Sequence, residues 1–217
     1  MIVVEGRRTR SLSRPEVLAL AQPFRRVVVD LGTGDGRFPY AHATAHPDHF
    51  VVGIDALGER LAELSAKAAR KPAKGGRANL LYVRASAEAP PEELHGLADE
   101  VHVLLPWGAL LVGTMLATPE VLGGIVALAR DGASFRVVFN AEVWEGSTPK
   151  DMADLPAVTV EYVERELVPA YAASGIALAA VAELSPDEVR DLPTTWARKL
   201  SHGRHPKFVA AAGTIGG

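Results

Sequence analysis

The stretch Val27-Val28-Val29-Asp30-Leu31-Gly32-Thr33-Gly34-Asp35-Gly36 decides the fold. Three β-branched residues lead into an acid, then into a turn with glycine at alternate positions, and a helical pattern starts at once. That order predicts a buried strand ending in a tight loop that opens a helix. Gly32 and Gly34 allow positive φ and let a ligand approach the backbone. The first helical N–H groups would point at that ligand. A second apolar run, Phe50-Val51-Val52-Gly53-Ile54-Asp55, also ends in an acid, and a carboxylate at the end of a second parallel strand can accept from ribose hydroxyls.

Two ligand classes share this layout. A dinucleotide fingerprint reads G-x-G-x-x-G and binds pyrophosphate at the helix start. Here the third glycine, Gly36, comes one residue early, and Arg37 stands where the fingerprint needs glycine. Asp30 just before the loop would repel pyrophosphate but suits a ligand with an ammonium group. The pattern D-x-G-x-G-x-G, followed by Asp55, resembles motif I of the class I S-adenosylmethionine (SAM) methyltransferases. A nicotinamide or flavin cofactor, and an empty structural turn, remain open on the loop alone.

The chain has 217 residues, 48% of them hydrophobic, enough for one large α/β domain across 1–217. It has no Cys, which excludes disulfides and thiolate metal sites. No apolar run suggests a signal peptide or a membrane span, so a cytoplasmic location is expected. The chain is separately expected to act as a monomer. The net charge of −3 argues mildly against nucleic acid, but its distribution matters more than its sum.

In chain order, residues 1–12 read as a β-hairpin, and Ser13 caps a helix to about Ala21, together an N-terminal extension (1–21). Strands are predicted at 26–31, 50–55, 79–84, 100–105, 134–140, 176–184 and 207–214. Helices are expected over about 37–45, 58–71, 119–132, 159–174 and 186–190, with shorter ones near 92–97 and after Gly108. Residues 144–160 and 191–206 read as linkers on the substrate side. Alternating strands and helices call for a parallel sheet covered on both faces, and the last two strands, nearly without a helix between them, for an antiparallel edge. Seven strands with a reversed terminal hairpin is the Rossmann-like arrangement of class I SAM methyltransferases.

In an open α/β sheet the ligand lies beyond the carboxyl ends of the strands. That places Asp30 and Gly32, with Gly34, at the amino-acid end of SAM and Asp55 at its ribose. Ser86-Ala87-Glu88 would lie near the adenine, with Leu104 and Thr194 as further cofactor contacts. Leu105-Pro106-Trp107 follows the fourth core strand, where a methyl acceptor must enter, and Trp196 comes from the far linker. Two indoles can sandwich a nucleobase drawn out of its stack, each stack contributing about 1–3 kcal/mol. Both tryptophans could instead be core or rim packing.

Charge supplies the next signal. From Leu64 to Arg84 there are six basic residues and no acid: Lys67, Arg70, Lys71, Lys74, Arg77 and Arg84. Lys67, Arg70 and Lys71 are spaced to share one helix face. Trp196 to Lys207 holds Arg198, Lys199, Arg204 and Lys207 with two histidines, and Arg7, Arg8, Arg10 and Arg14 form a third cluster. Each run alone reads as a solvated face, but three acid-free runs in an acidic protein look like phosphate contacts. His42, His46 and His49 lie close in sequence without a cysteine or well-spaced acid, so no metal site is expected.

Several pieces together resemble the kanamycin–apramycin resistance (Kam) family of 16S rRNA methyltransferases. They are the basic N-terminal hairpin, Asp30-Leu31-Gly32-Thr33-Gly34-Asp35-Gly36, Lys71-Pro72-Ala73-Lys74-Gly75-Gly76, Leu105-Pro106-Trp107-Gly108, and Thr195-Trp196 with basic residues after it. The resemblance spans nearly the whole chain. It implies methylation of N1 of adenine 1408 in 16S rRNA of the assembled 30S subunit, with SAM as methyl donor. It also implies aminoglycoside resistance, with Trp107, Trp196, Pro106 and Leu105 around the target base. A methyltransferase acting on tRNA or a small molecule, and a silent RNA-binding protein with this fold, are the alternatives. SAM titration would separate the silent protein, and salt dependence of substrate binding would separate RNA from small molecules.

Overall fold

Each apolar run that reads as a strand becomes one in the computed structural model, which describes residues 1–141, 155–200 and 207–216. The strands are β1 (Ile2–Glu5), β2 (Arg8–Ser11), β3 (Arg26–Leu31), β4 (His49–Asp55), β5 (Leu80–Arg84), β6 (Ala98–Leu104), β7 (Ala129–Asn140), β8 (Ile176–Leu184) and β9 (Phe208–Ile215). They form one sheet in the order β2-β1-β5-β4-β3-β6-β7-β9-β8. Strands β5, β4, β3, β6 and β7 run parallel, whereas β9 runs antiparallel between β7 and β8. The strand order reverses at β3, so the crevice a ligand would use opens above the carboxyl ends of β3, β4 and β6.

The sheet has nine strands where seven were expected. The N-terminal hairpin is the source of the difference: Val3 pairs with Val83, and Val3 and Val4 are buried. Without β1, the apolar strand β5 would be an open edge.

Helices α1 (Arg14–Ala21), α2 (Arg37–Ala45), α3 (Ala62–Ala68), α4 (Ala109–Met115) and α5 (Pro119–Leu128) cover the sheet, followed by α6 (Val160–Tyr162), α7 (Val168–Ala173), α8 (Pro186–Arg190) and α9 (Thr195–Leu200). Between α6 and α7 the turns widen to a π-helix over Val163–Leu167. Pro169 comes two residues after it, and a proline there has no N–H to give and crowds the carbonyl a turn earlier, which a widened turn accommodates.

Three boundaries depart from the sequence reading. Helix α5 stops at Leu128, and β7 takes up the chain from Ala129 as a twelve-residue strand. The linker 191–206 contains a helix, α9, so Trp196 sits on an ordered element. Helix α3 ends at Ala68, and Arg70 and Lys71 therefore do not share a helix face with Lys67. Pro72 forces this end: the residue before a proline is driven out of the α region, and Lys71 is extended (φ −60°, ψ 147°). The linker expected at 144–160 falls largely outside the described residues, which resume at 155. No single described helix is long and apolar enough to cross a membrane.

Candidate functional site

The loop after β3 is shaped by glycine. Gly32 and Gly34 both take positive φ, 76° and 61°. A Cβ on Gly34 would meet no protein atom within 4 Å, so its backbone borders open space. The loop is held from β4: Asp55 accepts from the Gly34 N–H and from the Leu57 N–H, each at 2.8 Å. Each of its oxygens retains a second lone pair for a hydroxyl donor.

Beyond the loop is a cavity of about 470 Å³. Asp30, Gly32, Gly34, Asp55, Ala87, Glu88, Leu104, Leu105, Trp107, Thr194 and Trp196 all line it. Eleven residues chosen from scattered segments thus converge on one site. Pro106 does not line it: it is buried beneath the wall, so any influence on the site is through the backbone of its neighbours. Leu57, Arg60 and Leu110 also contribute to the wall, and the sequence carried no signal for them. The segment bearing Ala87 is set by close backbone approach, since a Cβ on Gly124 of α5 would lie 1.8 Å from the Ala87 carbonyl oxygen.

Asp30 lies at the cavity floor, 2% exposed, and its Oδ1 has no hydrogen-bond partner. Burial pushes its carboxyl up to about 6, against the opposing pull of the Thr33 hydroxyl and His102. An orphaned buried carboxylate oxygen is costly and marks a place where a donor or a cation is expected. The ammonium of an amino acid would satisfy it.

At the cavity mouth Trp107 and Trp196 face each other, with ring centroids 6.2 Å apart and planes within 12°. They are 46% and 41% exposed, which sets aside the core-packing reading of either. Lys199 lies with its Nζ 5.6 Å from the Trp196 ring. On the other side of the pair, Leu105 holds φ +53°, a left-handed conformation unusual for a branched residue, while its N–H donates to the Val138 carbonyl at 2.8 Å. The chain thus turns sharply between β6 and Trp107.

The family model for 16S rRNA (adenine(1408)-N(1))-methyltransferases of the NpmA type matches residues 2–215. A 16S rRNA (adenine(1408)-N(1))-methyltransferase of Streptoalloteichus tenebrarius is 44% identical over 214 residues, covering 98% of both chains. The chain belongs to this family. Among solved structures, the 16S rRNA methyltransferase KamB superposes with a TM-score of 0.93 at 43% identity, covering all of both chains. A point mutant of the Catenulisporales acidiphilia 16S rRNA (adenine(1408)-N(1))-methyltransferase, solved with the cosubstrate SAM, gives 0.91 at 36% identity, covering 100% of this chain and 97% of that one. The fold is therefore that of the SAM-dependent methyltransferases, and SAM is the cosubstrate of this family.

The basic residues of this methyltransferase fall into two groups in space. The tip of the N-terminal hairpin docks on α3: the Gly6 N–H donates to the Ser65 hydroxyl at 2.8 Å. Arg7 and Arg8 are thereby brought beside the run that starts at Lys67. Arg10 is paired with Glu5 at 2.6 Å, and Arg14 is spent on the carbonyls of Glu92 and His95. Arg70, Lys71 and Lys74 are exposed on the loop after α3. Arg198 and Lys199 lie on α9 at the mouth of the cavity, and Arg204 is outside the described residues.

His42, His46 and His49 form a packed group outside the cavity lining. His42 Nε2 lies 3.0 Å from His49 Nδ1, and the His46 and His49 rings stack at 4.9 Å. Burial, then its His46, His102 and His49 neighbours, push His42 down to about 4. Among the described residues no cluster of three or more histidines and acids could hold a metal.

Proposed function

We propose that the protein transfers a methyl group from SAM to N1 of adenine 1408 of 16S rRNA in the assembled 30S subunit, and so confers resistance to kanamycin and apramycin. The observation that carries the reading is the pair of near-parallel, exposed indoles at the mouth of the cavity. A flat base needs about 3.5 Å on each face, so the pair has only to part slightly to admit one.

The residues present fit SAM. Asp30 offers its orphaned oxygen to the amino-acid ammonium, Asp55 its spare lone pairs to the ribose, and Ala87 and Glu88 line the adenine end. When bound, SAM supplies a methyl group on a sulfonium, an electrophile that needs no activation. Adenine N1 already carries a free lone pair, so no side chain has to remove a proton before transfer. The work left to the protein is positioning. Trp107 and Trp196 hold the base by stacking, and the turned backbone at Leu105 offers a carbonyl to the exocyclic amine.

Basic residues of the hairpin tip, of the 67–74 segment and of α9 supply phosphate contacts that set the orientation on the ribosome. The test is to map the modified nucleotide on treated 30S subunits by reverse-transcription stops. A SAM-dependent stop at adenine 1408 is expected, and its absence would refute the assignment.

A further inference from the structure

We propose that Asp35 is a positioning residue for this reaction: its carboxylate latches the Trp196 helix to the cofactor loop and sets the base slot. The proposal rests on the base-slot reading above and explains what keeps the slot in shape.

Helix α9 has six residues, too few to hold itself in water. Apolar packing and one hydrogen bond fix it from outside, with Leu200 packed against the same cluster as Ala197. Ala197 is fully buried in the apolar cluster that includes Phe38, Leu105 and Phe208. Thr195 donates its hydroxyl to Asp35 Oδ2 at 2.5 Å, a contact between residues 160 apart in the chain. Trp196 stands between those two anchors. Apolar packing at Ala197 and Leu200 is non-directional and by itself sets no rotation of α9, and a rotation about that contact carries Trp196 away from Trp107. Just before the helix, Thr194 Oγ1 accepts from the Ala197 N–H at 2.8 Å, so the first turn is capped at the point where the latch acts.

The other end of the latch is equally fixed. Asp35 stands between Gly34 and Gly36, both left-handed at φ 61° and 79°. Gly34 is tied to Asp55, and the Gly36 carbonyl accepts from the buried Tyr82 hydroxyl at 2.7 Å. Arg37 Nε donates to the same Asp35 Oδ2 at 2.9 Å, an exposed pair that adds little stability by itself but orients the carboxylate toward α9. The loop that borders the SAM cavity and the helix that carries one face of the base slot are thus joined through one carboxylate.

The measurement is methylation of 30S subunits by Thr195→Val, which removes the donor, beside Thr195→Ser, which restores it. Thr195→Val should lower kcat/KM about tenfold or more, mainly through kcat, as expected for loss of one charge-assisted hydrogen bond. SAM affinity by calorimetry and the melting temperature should stay near wild type, and Thr195→Ser should recover most of the rate. Asp35→Ala combined with Thr195→Val should lose no more than the worse single variant, because both break the same contact. Trp196→Ala serves as the parallel arm. If it is inactive while Thr195→Val works at the wild-type rate, or if the losses in the double variant simply add, the latch is overturned and the slot stands. If Trp196→Ala methylates at the wild-type rate, the slot and the latch fall together.

Discussion

At the residue scale, Asp30 combines a function with a cost. Its folded carboxyl titrates near 6, above the ordinary value of 3.8. The folded state therefore holds the proton more tightly than the unfolded chain, and this group favours folding below pH 3.8. That contribution is lost as pH rises through 6, and at neutral pH a buried charge is retained at a cost on the order of 3 kcal/mol. A cationic amino group in the cavity would offset it. SAM affinity should hence fall as pH drops below about 6, where Asp30 takes up a proton, and should fall again above about pH 8, where the amino group of the ligand loses its charge, measured by calorimetry across the range. Asp30→Asn should weaken SAM about ten- to a hundred-fold at pH 8, while the variant without ligand melts no lower than wild type. Trp107 and Trp196 are exposed, so truncating either should leave melting temperature and SAM affinity nearly unchanged and cut methylation strongly. A large fall in thermal stability would instead return them to a packing role.

At the scale of single elements, the segment 69–77 is the clearest case of local chemistry shaping a surface. Proline at 72 ends the helix, and the chain then folds onto itself: the Gly76 N–H donates to the Lys71 carbonyl and the Arg77 N–H to that of Ala68. Tyr40 pins the far side, donating its hydroxyl to the Gly75 carbonyl at 2.7 Å, with Lys67 Nζ 4.5 Å from its ring. A Cβ on Gly76 would fall 1.6 Å from the Arg70 carbonyl oxygen. Gly76→Ala should therefore push Arg70, Lys71 and Lys74 out of place at a stability cost of about 1–3 kcal/mol. Binding to 30S subunits should weaken several-fold, with SAM affinity unchanged, as read by filter binding and calorimetry. The basic residues and the glycine pair were legible in the sequence. Their presentation on a tied loop was not: a helix carried up to Lys71, just before Pro72, keeps Lys67, Arg70 and Lys71 on one face, whereas the chain leaves the helix after Ala68.

At the scale of the molecule, one adenine between two indoles cannot select one rRNA site among many, so discrimination has to come from phosphate contacts fixed in space. Lys71→Glu should reduce 30S binding without affecting SAM, and wild-type binding should fall steeply with salt, each phosphate contact adding about 0.7–0.9 to the logarithmic slope. Naked decoding-site RNA should be a poor substrate beside intact 30S; equal methylation of the two would remove the case for a rigid ribosomal surface. The sequence by itself determined the parallel core, the reversed terminal strand and the glycine loop between two acids, because periodicity, turn residues and chain order are local properties. It also marked Trp107, by its place after the fourth core strand, and Trp196, by its basic neighbours, since both signals are visible without coordinates. Only the tertiary structure decided that the N-terminal hairpin completes the sheet, that Pro106 lies under the wall, and that Thr195 meets Asp35 across 160 residues. Those outcomes depend on which surfaces meet when the sheet closes, and no spacing along the chain encodes a distance between elements that far apart.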